Sequence, residues 1–282
     1  MRMKPALYTL LLLPFLFASA REPKPVVWSN PHAALPKGVT HHQLESASMD
    51  RTVGFSVYLP DNYESSATRF PVVYFLHGHG GNENSDGPSF AKIVHRLAQA
   101  GEVPAAICVF PNGGVSGYRD HPDDKIMVET MITQELIPLV DDTFRTLPRR
   151  ESRVIAGYSM GGAGALRLAL LYPERFSAAA SWAAAINYPR RGSSLPNEFS
   201  AARLSASIPQ GRLLMIVGYD DDVTYHRHPP FLAALSEAKY PFTFRTLSGV
   251  PHNLGLYYQR TGDELVRFLL AGIETDPNQD LQ

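Results

Sequence analysis

The sequence predicts an α/β fold, with a mostly parallel, twisted sheet that carries helices on both of its faces. Apolar runs of strand length alternate along the chain with segments whose apolar residues recur at helical spacing, and this alternation is typical of parallel sheets. Several runs are continuously apolar, as expected of strands that are covered on both faces. The chain has 282 residues, of which 44% are hydrophobic and 19% charged, so it can form a large core, and its composition argues against disorder.

The first strands are predicted in the N-terminal part of the chain. Residues 26–48 are weakly patterned and are expected to form an edge strand or an arm. Residues 52–59 alternate between apolar and polar side chains, whereas 71–76 and 105–110 are continuous apolar runs, and each is predicted to be a strand. A helix is expected over residues 89–100, between the last two of these strands.

A long helix is predicted in the middle of the chain. Its apolar residues recur at helical spacing and are Met127, Met131, Ile132, Leu136 and Val140. Either Asp123 or Asp124 is expected to cap its N-terminus. Pro138 has no amide proton to donate, so it is expected to kink the helix or shift its register.

The second half of the chain repeats the alternation of strands and helices. The predicted strands are 153–156, 213–217 and 242–247, and the predicted helices are one that ends at Leu171 and those over 231–239 and 262–270. Residues 187–211 are rich in Pro, Gly, Ser and Arg and are expected to be an insertion over the carboxyl edge of the sheet. No repeat or linker is evident, so residues 21–282 are predicted to form one domain.

The first twenty residues are predicted to be a signal peptide. Arg2 and Lys4 precede an apolar run over 7–17, and a cleavage site of small residues follows at 18–20. The apolar run is too short to cross a bilayer comfortably. We therefore expect an exported protein, periplasmic or secreted, with no stable membrane insertion once the signal is removed. An uncleaved membrane anchor is the alternative.

Charge and cysteine content exclude further classes of function. The formal net charge is −1 and no basic cluster stands out, which argues against a nucleic-acid partner. Cys108 is the only cysteine, so an intrachain disulfide is excluded. Its neighbours are apolar, and we therefore expect a buried, inert thiol at this position rather than a catalytic one.

The strongest functional signal is the G-x-S-x-G sequence at residues 157–161, which places Ser159 at its centre. A strand-like run precedes it and a helix-forming stretch follows it. In the α/β-hydrolase fold such a serine lies on a tight turn between strand and helix, with its hydroxyl directed into a cleft. Glycines on either side avoid the collisions that larger side chains would cause in that turn. The motif therefore predicts the α/β-hydrolase fold, with Ser159 as the catalytic nucleophile.

A serine nucleophile needs a base and a carboxylate that orients the base, and in this fold they follow the serine in the order acid, then histidine. Three carboxylates follow the predicted strand 213–217, namely Asp220, Asp221 and Asp222. The last histidine of the chain, His252, follows the next predicted strand and is the expected base. Residue patterns alone leave open which aspartate is the acid.

The loop at residues 76–81 directly follows a buried strand and matches the H-G-G-G type of loop, which supplies one oxyanion-hole amide in esterases. The amide of Met160, the residue after the nucleophile, is expected to be the second donor. A metal site competes, because His77-x-His79 and His226-x-His228 could each provide two ligands. Neither pair has a third ligand nearby, and zinc needs three or four. We therefore expect no metal and no cofactor.

These residues resemble the esterase D-type branch of the α/β-hydrolases, which includes esterase D, tributyrin-type esterases, feruloyl and acetyl xylan esterases and the mycolyltransferases. The stretches that carry the resemblance are 57–60, 75–82, 135–145 and 156–176, and together with the two later loops it extends over residues 45–270. The family's G-x-x-D pattern corresponds to residues 218–221, so the resemblance implies Asp221 as the acid. It also implies the His79 amide as the first oxyanion donor.

The resemblance implies a serine carboxylic ester hydrolase that acts on short-chain or carbohydrate-linked esters, including small-molecule esters. An acyltransferase of the mycolyltransferase type would use the same residues. An S-formylglutathione hydrolase would share the fold, but the expected export signal argues against it. A non-catalytic binding module would not need Ser159, Asp221 and His252. The pattern also leaves open whether Tyr118, Asp120 and Trp182 line the substrate pocket or pack within their loops.

Overall fold

The computed structural model describes residues 25–188, 193–194, 198–206 and 209–273. The predicted signal peptide lies outside these ranges. Within them, eight strands form the main sheet in the order β1-β2-β4-β3-β5-β6-β7-β8. The strands are β1 (Val39–Ser46), β2 (Arg51–Tyr58), β3 (Val72–Leu76), β4 (Ile107–Pro111), β5 (Arg153–Tyr158), β6 (Ala178–Trp182), β7 (Arg212–Gly218) and β8 (Phe242–Leu247). β2 runs antiparallel to β1 and β4, and the remaining pairs are parallel, which confirms the predicted fold class.

Strand β3 shows why its sequence is continuously apolar. Its five residues are all buried. Val72, Tyr74 and Leu76 belong to one hydrophobic cluster and Val73 and Phe75 to another. Because successive side chains of a strand point to opposite faces, these two clusters are the cores on the two sides of the sheet.

Helices cover both faces. They are α1 (Gly87–Gln99), α2 (the continuous helical run 128–143), α3 (Met160–Leu171), α4 (Ala201–Ala206), α5 (Pro229–Glu237) and α6 (Leu254–Leu270). The apolar residues of α1 and α6 lie in the cluster that contains Val73, whereas those of α2, α3 and α5 lie in the cluster that contains Val72. Within the described ranges, none of the helices combines the length and apolar character needed to cross a membrane.

Helix α2 differs from its prediction at its start. It comprises Val128–Thr130, a π-helical turn over Met131–Leu136, and Ile137–Thr143. The prediction that Asp123 or Asp124 caps it is wrong, because both lie in a separate 3₁₀ turn that ends at Lys125 with φ 51°. The π-helical turn ends at Leu136, two residues before Pro138, and is the expected shift in register.

Two further predictions differ from the structure. Helix α6 begins at Leu254 rather than at Gly262, because the side chain of Asn253 caps it by accepting the Leu256 amide at 3.2 Å. Strand β6 was not predicted, since its alanine-rich sequence gives no strand signal of its own. The predicted insertion over residues 187–211 lies partly outside the described ranges, and the described parts form the pair Asn187–Tyr188 with Ser193–Ser194 and helix α4.

Candidate active site

Ser159 lies in the turn between β5 and α3 with φ 54° and ψ −113°. Such a conformation costs a residue with a side chain about 1–3 kcal/mol, so the surroundings must hold it in place. The Ser159 amide donates to the Trp182 carbonyl at 2.9 Å, and its own carbonyl accepts the Ala185 amide at 2.9 Å. The neighbouring strand β6 and the loop that follows it therefore fix the strained turn.

Two glycines of the motif are required by close approach of the backbone. A Cβ on Gly157 would lie 2.4 Å from the carbonyl carbon and oxygen of Gly161, and a Cβ on Gly161 would lie 2.0 Å from the carbonyl oxygen of Leu76. Carbon atoms do not approach this closely without displacement of the backbone. The turn can consequently pack against the end of β3 only if both positions lack a side chain.

The structure brings His252 between Ser159 and Asp221. Its Nε2 lies 3.0 Å from Ser159 Oγ, and its Nδ1 lies 2.8 Å from Asp221 Oδ2. An ionised carboxylate only accepts hydrogen bonds, so Nδ1 carries the proton and Nε2 is left to accept the serine hydroxyl proton. The three side chains thus form one continuous hydrogen-bonded chain, in the order that general-base activation of the serine requires.

Asp221 is fully buried and surrounded by hydrogen-bond donors. Its Oδ1 accepts the amides of Val223 and Thr224 at 3.1 and 3.0 Å. Its Oδ2 accepts the Tyr257 hydroxyl at 3.1 Å in addition to His252. Burial on its own would raise the pKa of this carboxyl, but the hydrogen bonds and charge of His252 and the bonds from Thr224 outweigh it, so the pKa lies below its ordinary value.

Asp220 and Asp222, which flank Asp221, are exposed. Asp220 accepts the Gly249 amide at 2.6 Å. Of the three adjacent carboxylates, Asp221 is the one that bonds His252. The family resemblance implied the same residue, and its role as the acid is part of the proposal below.

Two aromatic residues around the base were not identified from the sequence. The Tyr158 ring stacks on His252 with a centroid distance of 5.0 Å and an interplanar angle of 29°. Tyr158 lies inside the serine motif, so its position beside the site was available from the sequence. Tyr257 gave no such signal, because its helix was expected to start five residues later.

The loop after β3 is braced by His77, which is 2% exposed. Its Nε2 accepts the Gly113 amide at 2.9 Å, and its Nδ1 therefore donates to the Gly78 carbonyl at 2.8 Å. Burial lowers the pKa of His77, so the ring stays neutral and holds this loop to the loop after β4. Both nitrogens are thus used within the protein, which removes His77 as a metal ligand.

The two expected oxyanion donors come from different segments, His79 from the loop after β3 and Met160 from the serine motif itself. His79 is exposed in the braced loop, and the Gly78 amide beside it donates to Asp86 Oδ2 at 2.8 Å. Met160 is the first residue of α3, where a helical amide has no acceptor within its own helix. The amide dipoles at this helix start favour negative charge next to Ser159.

Tyr118, Asp120 and Trp182 pack within the protein. Tyr118 and Trp182 are fully buried, and the Trp182 indole donates to Thr261 Oγ1 at 2.9 Å. Asp120 accepts the amide and the hydroxyl of Thr130 in the first turn of α2 at 3.1 and 2.6 Å. These contacts assign the three residues to loop packing, the second of the two readings left open above.

The remaining nucleophile and ligand candidates give no second site. Cys108 is fully buried, and burial raises the pKa of its thiol, so the expected inert role is supported. In the part of the chain that the structure describes, no three His, Cys, Asp or Glu side chains are grouped so that they could hold a metal ion.

Comparison with known proteins places the chain in a family. The family model described as "Putative esterase" matches residues 46–264. An esterase of Mycobacterium tuberculosis is 32% identical over 145 residues, which are 50% of this chain and 31% of that protein. The S-formylglutathione hydrolase of Bos taurus is 26% identical over 245 residues, which are 74% of this chain and 85% of that protein. A solved structure of a ferulic acid esterase matches with a TM-score of 0.73 at 25% identity, over 82% of this chain and 97% of its own.

The family match extends from the last residue of β1 into α6 and includes Ser159, Asp221 and His252. The chain spans 31% of the length of the mycobacterial esterase, whereas it matches nearly the whole ferulic acid esterase structure. The structural match confirms the predicted α/β-hydrolase fold. The chain belongs to the esterase family, in the esterase D-type branch of the α/β-hydrolases.

Proposed function

We propose that the chain is a serine carboxylic ester hydrolase that works through an acyl-enzyme on Ser159. The observation that carries this proposal is the continuous chain from Asp221 through His252 to Ser159, with contacts of 2.8 and 3.0 Å. The strained backbone of Ser159 supports it further, since such a conformation persists at positions where function requires it. Membership in the esterase family is consistent with this chemistry.

The proposed reaction has two steps. His252 Nε2 takes the Ser159 hydroxyl proton as Oγ bonds to the ester carbonyl carbon, and Asp221 stabilises the imidazolium that forms. The amides of His79 and Met160 stabilise the oxyanion until the ester bond breaks, and the histidine gives its proton to the departing alkoxide. Water, deprotonated in turn by His252, then attacks the acyl carbon, releases the acid and restores the Ser159 hydroxyl.

We propose short-chain or carbohydrate-linked esters as substrates. The structural likeness to a ferulic acid esterase supports an ester of this kind. The likeness to an S-formylglutathione hydrolase makes a thioester of glutathione the second substrate to test. We further propose that residues 1–20 are an export signal and that 21–282 form the single catalytic domain.

Turnover of p-nitrophenyl esters from acetate to palmitate tests the proposal, with residues 21–282 and their Ser159→Ala variant. We expect turnover in the wild type and its loss in the variant, and the profile over chain length measures the acyl pocket. Ser181→Ala is a matched control, because Ser181 is a fully buried serine of the neighbouring strand β6. A folded wild type without turnover on any ester, including S-formylglutathione, would refute the hydrolase proposal.

The export proposal has a separate test. Expression of the full chain in a bacterium with a periplasm should give a protein whose N-terminus is Arg21 in the periplasmic or medium fraction. Full-length protein that retains Met1 in the cytoplasm would contradict it.

A further inference from the structure

The hydroxyl of Tyr257 joins Asp221 to the end of strand β7. It donates to Asp221 Oδ2 at 3.1 Å and accepts the Gly218 amide at 2.7 Å. Oδ2 is the same oxygen that accepts Nδ1 of His252 at 2.8 Å. Tyr257 therefore contacts the one carboxylate oxygen whose position decides whether the base points at the serine.

The donors around Asp221 fix its carboxylate in one orientation. Oδ1 is held by the amides of Val223 and Thr224, both from the turn that carries Asp221 itself. Oδ2 is held from outside this turn, by Tyr257 and His252. A carboxylate can rotate about its last side-chain bond unless both oxygens are held, and the Tyr257 hydroxyl is the donor besides His252 that holds Oδ2 in place.

Tyr257 is itself held rigidly. It is fully buried, and burial raises the pKa of its hydroxyl, which keeps it protonated as a donor. Its carbonyl accepts the Thr261 hydroxyl at 3.1 Å, and Thr261 in turn accepts the Trp182 indole at 2.9 Å. The Gly218 amide also polarises the phenol, which strengthens the bond that the phenol donates.

Helix α6 links this contact to the base. The helix begins at Leu254, two residues after His252, and the Asn253 side chain caps its first turn. Tyr257 lies one turn further along the same helix. One rigid element therefore fixes both the loop that carries the base and the partner of the acid.

We propose that Tyr257 is a positioning residue that holds Asp221 Oδ2 in line with Nδ1 of His252, so that the base stays directed at Ser159. The inference rests on the proposed function, because it assigns Tyr257 to the same catalytic chain. Tyr257 does not touch substrate in this assignment. Its loss should therefore slow the chemical step and leave substrate binding unchanged.

The Tyr257→Phe variant tests the proposal, because it removes the hydroxyl and keeps the ring. We expect kcat on p-nitrophenyl acetate to fall about tenfold with KM unchanged, the size of effect that one hydrogen bond to a charged group gives. The short contact between His252 Nδ1 and Asp221 Oδ2 should give a far-downfield resonance in proton NMR spectra of the wild type, and we expect this resonance to move in the variant.

Tyr240→Phe is the matched control. Tyr240 is 3% exposed, and its hydroxyl accepts the Gly211 amide at 3.0 Å, so it makes the same kind of bond away from the catalytic chain. We expect it to lower stability while kcat and the downfield resonance stay at their wild-type values. A folded Tyr257→Phe protein whose resonance and kcat equal those of Tyr240→Phe overturns the proposal.

A second variant covers the case in which Tyr257→Phe does not fold. Site-specific replacement of Tyr257 by 3-fluorotyrosine retains the bond and makes the phenol a stronger donor, so the resonance should move in the opposite direction. An unmoved resonance overturns the proposal. The resonance is measured without substrate. A wild type without ester turnover would therefore refute the proposed function, whereas the role of Tyr257 in positioning Asp221 would still be tested by the resonance.

Discussion

Two fully buried carboxylates, Asp221 and Glu83, have closely similar surroundings and different positions in the fold. Asp221 bonds His252 at 2.8 Å, and Glu83 bonds His41 at 3.0 Å. Asp221 also accepts two backbone amides and a phenol. Glu83 also accepts the backbone amide of Asn30 at 2.5 Å and the side-chain amide of Asn112 at 2.7 Å. Each carboxylate is thus compensated for its loss of water by one histidine and several neutral donors.

The two sites differ in what lies beyond the histidine. His252 continues to a serine hydroxyl, and its side chain is 23% exposed. The side chain of His41 is 8% exposed, and its carboxylate partner joins the N-terminal arm, β1 and the loop after β4. A buried carboxylate–histidine pair therefore does not by itself indicate catalysis. In this chain the proposed catalytic pair differs from the pair that fastens segments together by a third group, a serine in a strained turn at the carboxyl end of a strand.

Asp221→Asn should give the largest effect of the substitutions that test this difference. The asparagine amide would favour the tautomer with the proton on Nε2, which cannot accept the serine proton, and we expect kcat to fall about 10⁴-fold. Steady-state hydrolysis of p-nitrophenyl acetate measures it. Asp222→Asn is the control, because Asp222 is the exposed neighbour, and it should retain wild-type turnover. Near-normal turnover in Asp221→Asn with loss in Asp222→Asn would reverse the assignment of the acid.

Gly161→Ala should give the next largest effect, because it forces two backbone segments apart. Its Cβ would lie 2.0 Å from the Leu76 carbonyl oxygen, and we expect the free energy of unfolding to fall by about 3 kcal/mol or more. Gly101→Ala is the control. Gly101 has φ 70° with no atom within 4 Å of an added Cβ, so it should lose only about 1–2 kcal/mol. Urea unfolding measures the free energy of unfolding of both variants. Equal losses would show that the close approach of Gly161 to Leu76 does not add to the cost of the substitution.

Site residues could be predicted from the sequence where the signal comes from neighbouring residues along the chain, and could not where it depends on contacts between distant residues. Ser159 was predicted because its motif lies between a strand and a helix pattern, and His252 because it follows a strand in the required order. Strand order alone left three adjacent aspartates open, and the family resemblance was needed to select Asp221. The Glu83 cluster has no such signal, since its partners Asn30 and Asn112 lie 53 and 29 residues away along the chain. Tyr257 was missed for a related reason, because the start of α6 depends on the Asn253 cap rather than on apolar periodicity.

Glu83→Gln should separate stability from catalysis. The glutamine amide would have to face the donors of Asn30, Asn112 or His41, so we expect a loss of about 2 kcal/mol in the free energy of unfolding. Turnover at saturating substrate should stay close to that of the wild type, since Glu83 fastens segments that do not react. Glu64→Gln, at an exposed glutamate, is the control for the change in charge. A fall in kcat as large as that of Asp221→Asn would remove the distinction between the two carboxylates.

The smallest expected effect is a pH dependence of the turn that carries Asp221. His228 is 1% exposed and donates from Nδ1 to the Thr224 carbonyl at 2.9 Å, and Thr224 in turn donates its amide to Asp221. Burial lowers the pKa of His228, and hydrogen bonds to Thr224 and Tyr225 and the charge of Asp221 offset this only in part. As the pH falls, His228 therefore takes up a proton near pH 6.5 in the unfolded chain but only at a lower pH in the folded chain. The contribution of this histidine to the free energy of unfolding is therefore fully present above about pH 6.5 and decreases as the pH falls below that value.

The His228→Asn variant removes this titration and should flatten the loss of stability between pH 6.5 and pH 5. One histidine contributes at most about 1.4 kcal/mol per pH unit to that slope. The variant should keep a residual slope, because burial also lowers the pKa of His77 and of His42. His226→Asn, at an exposed histidine of the same turn, should leave the slope as in the wild type. Urea unfolding at each pH measures these slopes. Equal slopes in the wild type and His228→Asn would show that the turn carrying Asp221 does not respond to pH in this range. Acid sensitivity would then be assigned to His77 and His42, the other histidines whose pKa burial lowers.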